Sequence, residues 1–362
     1  MPALLRIALL ALLTPGLALA ADWTISTFAG TGVPGFTGDG GPAISAQIND
    51  PYGTIRGPDG AIWFCEHAGH RIRRIAPDGT ITTVAGTGVK GYTGDGGPAL
   101  KATFNLPHEI RFDAKGNIFI ADTGNNVVRR IDAKTGLITT IAGGPNQSGY
   151  SGDGGAATAA SLRGPHSIQF GPDGTLYICD VGNHVIRAVD LHTGLIRTLA
   201  GTGKPGPTPD GAPLAGTPLN NPRSLDVDRD GNLWAVTREG NQVLKLDLKA
   251  GVIRHIAGTG EAGFTGNGGL AKLATLSGPK GIALDAAGNA WLADTESHTV
   301  RMIEAKSGKI ELIAGTGAKG DGPDGDPLHC AMNRLHGVFV DADGSVFIGD
   351  SEAHRIRVLR QR

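Results

Sequence analysis

The sequence is short of several things, and each shortage removes a class of explanation. It has three cysteines in 362 residues, Cys65, Cys179 and Cys330, with no Cys-x-x-Cys pair among them. An odd, sparse set makes neither a disulfide framework nor a thiol redox centre. Its 33 basic and 34 acidic residues leave a net charge of −1. No global basic field is therefore available to hold nucleic acid or an anionic membrane surface. Aromatics make up only 5% of the chain. There is no G-x-S-x-G nucleophile elbow and no glycine loop leading into a P-loop lysine, so neither that serine chemistry nor a nucleotide cofactor is expected.

Long apolar runs are also missing, except near the start. There, Arg6 precedes an apolar stretch over residues 7–13, and Ala18 and Ala20 form an A-x-A cleavage site. This is the pattern of a secretory signal peptide cut after Ala20. Residues 1–20 are thus expected to be removed and residues 21–362 to form one exported domain, secreted or periplasmic. No later stretch has the 18 or so apolar residues that a membrane-spanning helix needs. A soluble monomer is expected.

What the chain has in quantity is glycine, 58 residues, placed at repeating positions. An Ala-Gly dipeptide closes a β-branched run at Ala29, Ala85, Ala142, Ala200, Ala257 and Ala314, in steps of 56, 57, 58, 57 and 57 residues. A fixed period of this length means a repeat architecture. In the copy over residues 84–140, four short strand signals are separated by links such as Ala-Lys-Gly and Thr-Gly-Asn-Asn. Links that short join antiparallel neighbours, so each period is a four-stranded meander. One such sheet cannot cover both its faces, whereas six arranged radially can. The expected fold is all-β, a six-bladed β-propeller. The last copy lacks a fourth strand, and residues 23–30 supply one from the other end, which closes the ring.

Most recurring polar positions answer to the scaffold. The acid ending the second strand (Glu66, Asp122, Asp180, Asp294, Asp350) recurs in five blades, as does the His or Asn just after it. Accepting turn N–H groups explains such a residue. The same reading covers Arg73, Arg129, Arg187 and Arg301 on the third strands. Calcium readings of the TGDGG loops and of Asp226–Asn232 are weak, because the latter has Thr237 where a calcium loop needs Glu.

One position breaks the pattern. The residue opening each first strand is Tyr52, His108, His166, Arg223, Lys280 and His336 in blade order. First strands line a propeller's axis, so these six side chains should converge at one axial mouth. A water-filled channel mouth would tolerate them, but three histidines and two cations suit a site. Imidazoles bind metals or move protons, and Arg and Lys hold anions.

The strand–turn pattern GNIFIADTGNNVVRRID, with GTLYICDVGNHVIRAVD, resembles the NHL repeat, and the resemblance covers residues 23–360. Pro-His at Pro107 and Pro165 resembles the motifs that supply zinc ligands in peptidyl-hydroxyglycine amidating lyases, and residues 61–72 resemble a repeat of virginiamycin B lyase. These resemblances imply a divalent metal, zinc or similar, on His108 and His166. His336 and Tyr52 would then be the acid/base residues, with Arg223, Lys280 and Glu109 holding a small anionic substrate. The amidating lyases place ligands on alternate blades, whereas these histidines fall on blades two, three and six. The leading expectation is a metal-assisted lyase or hydrolase. The alternative is a non-catalytic scaffold that binds an extracytoplasmic protein or glycan through its Gly-rich loops. A PQQ-type sugar dehydrogenase is disfavoured, since long cofactor-covering insertions are absent.

Overall fold

A computed structural model describes residues 22–145 and 147–362; the expected signal peptide, residues 1–20, lies outside the described residues. Among the described residues, twenty-four strands form six four-stranded antiparallel sheets, each a meander in chain order save the last. The six blades cover residues 51–85, 107–142, 165–201, 222–257, 281–314, and 337–361 with 23–29. In the last, Trp23–Ala29 pairs antiparallel with Arg355–Gln361, from Trp23 against Gln361 to Ala29 against Ile356. The ring is therefore closed by hydrogen bonds between the two ends, as the repeat count requires. No described helix is long and apolar enough to cross a membrane.

The core lies between blades. The second strands Ile62–Glu66, Ile118–Asp122, Leu176–Asp180 and Ala290–Asp294 are buried at every position, the mark of a strand covered on both faces. All three cysteines are free and buried, consistent with use as small packing residues.

The recurring acids and arginines form one device per blade. Arg73 meets Glu66 at 2.7 Å and, from the Gly-rich loop, Asp39 at 2.8 Å. Arg129 joins Asp122 to Asp95, and Arg187 joins Asp180 to Asp153, in the same way. The acids also accept backbone N–H groups: Asn105 on Asp122 at 2.8 Å, Ser277 on Asp294 at 2.7 Å. Blade four lacks both partners together, with Thr237 for the acid and Leu244 for the arginine. An unpaired buried charge costs several kcal/mol, so the two positions change as a unit. The TGDGG aspartates Asp39, Asp95 and Asp153 are thus engaged by arginines. His70, His298 and His354 adopt positive φ at a turn and accept, through Nδ1, the N–H of Leu106, Arg334 and Asp50. They tie one blade to the next.

Candidate active site at the propeller axis

The six first-strand positions do converge. His108 and His166 meet edge to face with ring centroids 4.7 Å apart, Tyr52 meets His108 at 4.7 Å, and Tyr52 lies on His336 at 4.3 Å. Nη2 of Arg223 is 3.2 Å from Nε2 of His108, and Nζ of Lys280 is 3.1 Å from Nε2 of His336. Lys280 and His336 stand one residue ahead of their strands, which begin at Gly281 and Gly337. The six side chains fill the axis instead of lining an open channel, and Tyr52, His108, Lys280 and His336 are buried.

The hydrogen bonds fix the imidazole tautomers. A guanidinium or ammonium can only donate, so Nε2 of His108 and of His336 must accept. His336 completes itself by donating from Nδ1 to the carbonyl of Arg334 at 2.8 Å. His108 has no such partner, and its Nδ1 is buried and unsatisfied. His166 donates from Nδ1 to Gly164 O at 2.7 Å, which leaves its Nε2 lone pair bare. Burial pushes the pKa of His108, His166 and His336 well below the ordinary value, with neighbouring cations adding to the effect. All three rings are neutral at pH 7.

The cations are the unusual members. Burial lowers Lys280 to about 8, against the opposing pull of Glu296 2.9 Å away. Burial lowers Arg223 to about 10. Among the described residues no carboxylate lies within ion-pair reach of Arg223, and its Nε is buried without a partner. Around them Arg334 is shared between Glu296 at 2.8 Å and Glu352 at 3.0 Å. Among the described residues the mouth is a positive pocket in which Arg223 has no carboxylate partner.

Glu109 is not part of this group. Its carboxylate pairs with Arg111 and accepts from Ser167, lower in the channel. Conversely, two residues at the mouth escaped sequence reasoning. The residue after each blade's acid is His67, Thr123, Val181, Arg238, Thr295 and Ser351. Three of these use a hydroxyl to bond a carbonyl of the neighbouring blade: Thr123 to Pro165 at 2.5 Å, Thr295 to Leu335 at 2.7 Å, Ser351 to Pro51 at 2.9 Å. His67 performs the same task from Nδ1 to Pro107 O at 3.3 Å, stacked on Tyr52 at 4.3 Å. It thereby keeps a spare Nε2. Burial lowers its pKa to about 4. Arg238 adds a cation, 4.0 Å from Glu296. The signal was present as a departure from Thr and Ser at the residue following the recurring acid.

A divalent metal does not fit this donor set. Nε2 of His108 and of His336 already accept from cations, and a metal ion there would sit beside Arg223 and Lys280, while the one carboxylate described near them, Glu296, is already shared between Lys280 and Arg334. Among the described residues no three His, Cys, Asp or Glu side chains are grouped as metal ligands are.

No protein-family model matches the chain. Over 286 residues it is 28% identical to NHL repeat-containing protein 2 of Gallus gallus, covering 70% of this chain and 38% of that one. The chain has NHL repeat-containing homologues. Over 294 residues it is also 28% identical to the chloroplastic protein SUPPRESSOR OF QUENCHING 1 of Arabidopsis thaliana, covering 77% of this chain and 27% of that one. It thus spans about a third of the length of these relatives. Among solved structures, it superposes on an auxiliary nutrient binding protein from Bacteroides thetaiotaomicron with TM-score 0.69 at 16% identity, covering 93% of this chain and 76% of that one. A streptogramin B lyase aligns with TM-score 0.56 at 14% identity over 95% and 99% of the two chains. A gluconolactonase from Xanthomonas campestris aligns with TM-score 0.60 at 13% identity over 95% and 92%. At these identities the likeness concerns the propeller fold.

Proposed function

We propose that the axial mouth binds a small carboxylate-bearing molecule and cleaves it as a lyase, by acid–base chemistry without a metal. The observation that carries this reading is Arg223: a cation with a buried, unpartnered Nε and no carboxylate within reach, held in place by a neutral imidazole. A charge in that state is costly unless a ligand supplies the counter-charge. Arg223 would grip the substrate carboxylate, and His108 would position Arg223. Nε2 of His166 or His67, bare and unprotonated, would take a C–H proton next to the carboxylate. The released electron pair would expel the leaving group, with Lys280 or the protonated phenol of Tyr52 giving it a proton. His336, which accepts from Lys280, would hold that ammonium. The streptogramin B lyase and gluconolactonase likenesses agree with a small-molecule role for such a propeller. Export through the N-terminal segment is part of the same reading.

Titration with succinate, tartrate and citrate tests it. Binding is expected, about tenfold or more weaker in Arg223→Gln. Equal binding in that variant, or none in the parent, overturns the reading. Incubation with tartrate in D2O, followed by NMR, is expected to show C–H exchange that depends on His166.

One observation favours a second reading, a protein- or glycan-binding scaffold. The Gly-rich loops expose Val33, Phe36, Val89, Leu100, Leu270 and Leu273. On that reading Leu273→Glu abolishes partner capture and Arg223→Gln leaves it intact.

A further inference from the structure

Beneath the axial ring the channel widens into a cavity of about 580 Å³, roofed by His108, Lys280 and His336 and reaching Gly57 and Pro58 at the opposite face. The volume is within the range of small-molecule sites, roughly 300–1,000 Å³. Its walls differ. Blades two to four supply Glu109, Arg111, Gln169, Ser224 and Asp226 beside Phe112 and Phe170, whereas blades five, six and one supply Ile55, Ala283, Phe339 and four glycines, with Thr54 and Arg56 as their polar groups below the roof.

Three of those glycines are explained by the scaffold: a Cβ on Gly57 would come within 2.5 Å of Trp63 Nε1. A Cβ on Gly53 would come within 2.7 Å of the Glu109 backbone, and one on Gly281 within 3.2 Å of Gly337. Gly337 has no such reason. A Cβ there would meet only Gly53 N, at 3.5 Å, an ordinary contact. Gly337 opens its strand, and a glycine in a strand often marks a place where a ligand or another backbone comes close. The space is kept open by a residue the propeller itself does not require to be small.

The acids on the polar wall are already occupied. Glu109 pairs with Arg111, and Arg56 at the rim donates to Asp341. Asp226 receives Gln169 Nε2 at 2.9 Å, Leu284 N at 2.7 Å and Val227 N at 2.8 Å. Asp226 has no cation within ion-pair distance among the described residues, but both its oxygens already accept from these neutral N–H donors. What is unsatisfied is a hydroxyl: Thr54 is 4% exposed, lines the cavity, and its Oγ1 has no partner. The paired ions still offer acceptors and donors side by side, and the facing wall is aliphatic and aromatic. That combination suits a molecule with hydroxyls on one side and C–H groups on the other.

We propose that this cavity is a second ligand site, separate from the axial mouth, for a neutral polyhydroxylated molecule of monosaccharide or disaccharide size. It is entered from the face opposite the Gly-rich loops, and the Tyr52–His336 plug keeps it apart from the anion site.

Calorimetric titration of the whole protein with D-glucose, D-mannitol, maltose and sucrose tests it. At least one is expected to bind with a Kd of about 1 mM or tighter. Gly337→Val, a β-branched residue compatible with the strand, is expected to weaken that binding at least about tenfold with an unchanged melting temperature. Thr54→Val, which keeps the shape and removes the hydroxyl, should weaken it about three- to tenfold. Arg223→Gln should leave it unaltered, which separates failure here from failure at the mouth. No binding of any of the four, or binding indifferent to both Gly337→Val and Thr54→Val, overturns the proposal.

Discussion

His67 donates from Nδ1 to the carbonyl oxygen of Pro107 at 3.3 Å, doing with an imidazole what Thr123, Thr295 and Ser351 do with a hydroxyl. The blade-to-blade tie is thus preserved while a second nitrogen is gained at the mouth. Structure and chemistry can therefore be separated by giving blade one the residue of blade two.

His67→Thr is expected to keep the fold and to change its pH response. The folded pKa of about 4 lies below the ordinary histidine value of 6.5 because of burial. Between those values the unfolded chain binds a proton that the folded chain does not. The contribution is intact above about pH 6.5 and is lost as pH falls towards 4. Thermal melts across that window should show wild type losing stability relative to His67→Thr. Parallel curves for the two proteins would refute the assignment.

Lys280, at about 8, gives the anion site its own pH signature. A carboxylate ligand favours the protonated amine, so affinity should hold below pH 7 and decline as pH rises through 8. In Lys280→Arg the decline should vanish, because an arginine at that position stays charged. Calorimetry with succinate from pH 6.5 to 9.5 reads both curves.

Blade four already contains the control for the buried ion pairs. Arg73→Leu alone strands Glu66 at 0% exposure and is expected to cost about 3–5 kcal/mol. Arg73→Leu with Glu66→Thr copies Leu244 and Thr237, and should recover most of that loss. A double mutant as unstable as the sum of the two singles, in chemical denaturation, would rule out pairing as the reason these positions change together.

Trp23 is 6% exposed and packs edge to face on Trp291 of the fifth blade, ring centroids 5.2 Å apart. Trp23→Ala removes that contact and part of the closing strand's anchorage, with an expected cost of about 3–5 kcal/mol. The loss should appear in denaturation, with limited proteolysis cutting first near residues 23–29. Cleavage spread evenly over the blades would mean the closure is not the weak point.

The architecture was legible because a period of 56 to 58 residues with four strand signals admits few packings, and because a missing last strand and a surplus first one answer each other. The ring at Tyr52, His108, His166, Arg223, Lys280 and His336 was legible as a departure from repetition. How it is wired was not. Whether Arg223 reaches His108 across blade three depends on side-chain reach at the axis, which spacing along the chain does not record. His67 and Arg238 were hidden in a turn whose acid looked uniform. The openness at Gly337 was hidden for a different reason: what a glycine leaves room for is decided by residues more than two hundred positions away.

The pairing of Trp23 with Gln361 also sets an order of events. A chain made from its N-terminus must hold its first strand without a partner until its last residues exist. Five sheets can assemble as they emerge, but the sixth cannot, and the axis cannot be plugged until Tyr52 and His336 face each other. Contacts of such long sequence separation form slowly. The ring should therefore pass through an open, C-shaped state in which the axial cations meet water, and become a competent site only in the final step of folding.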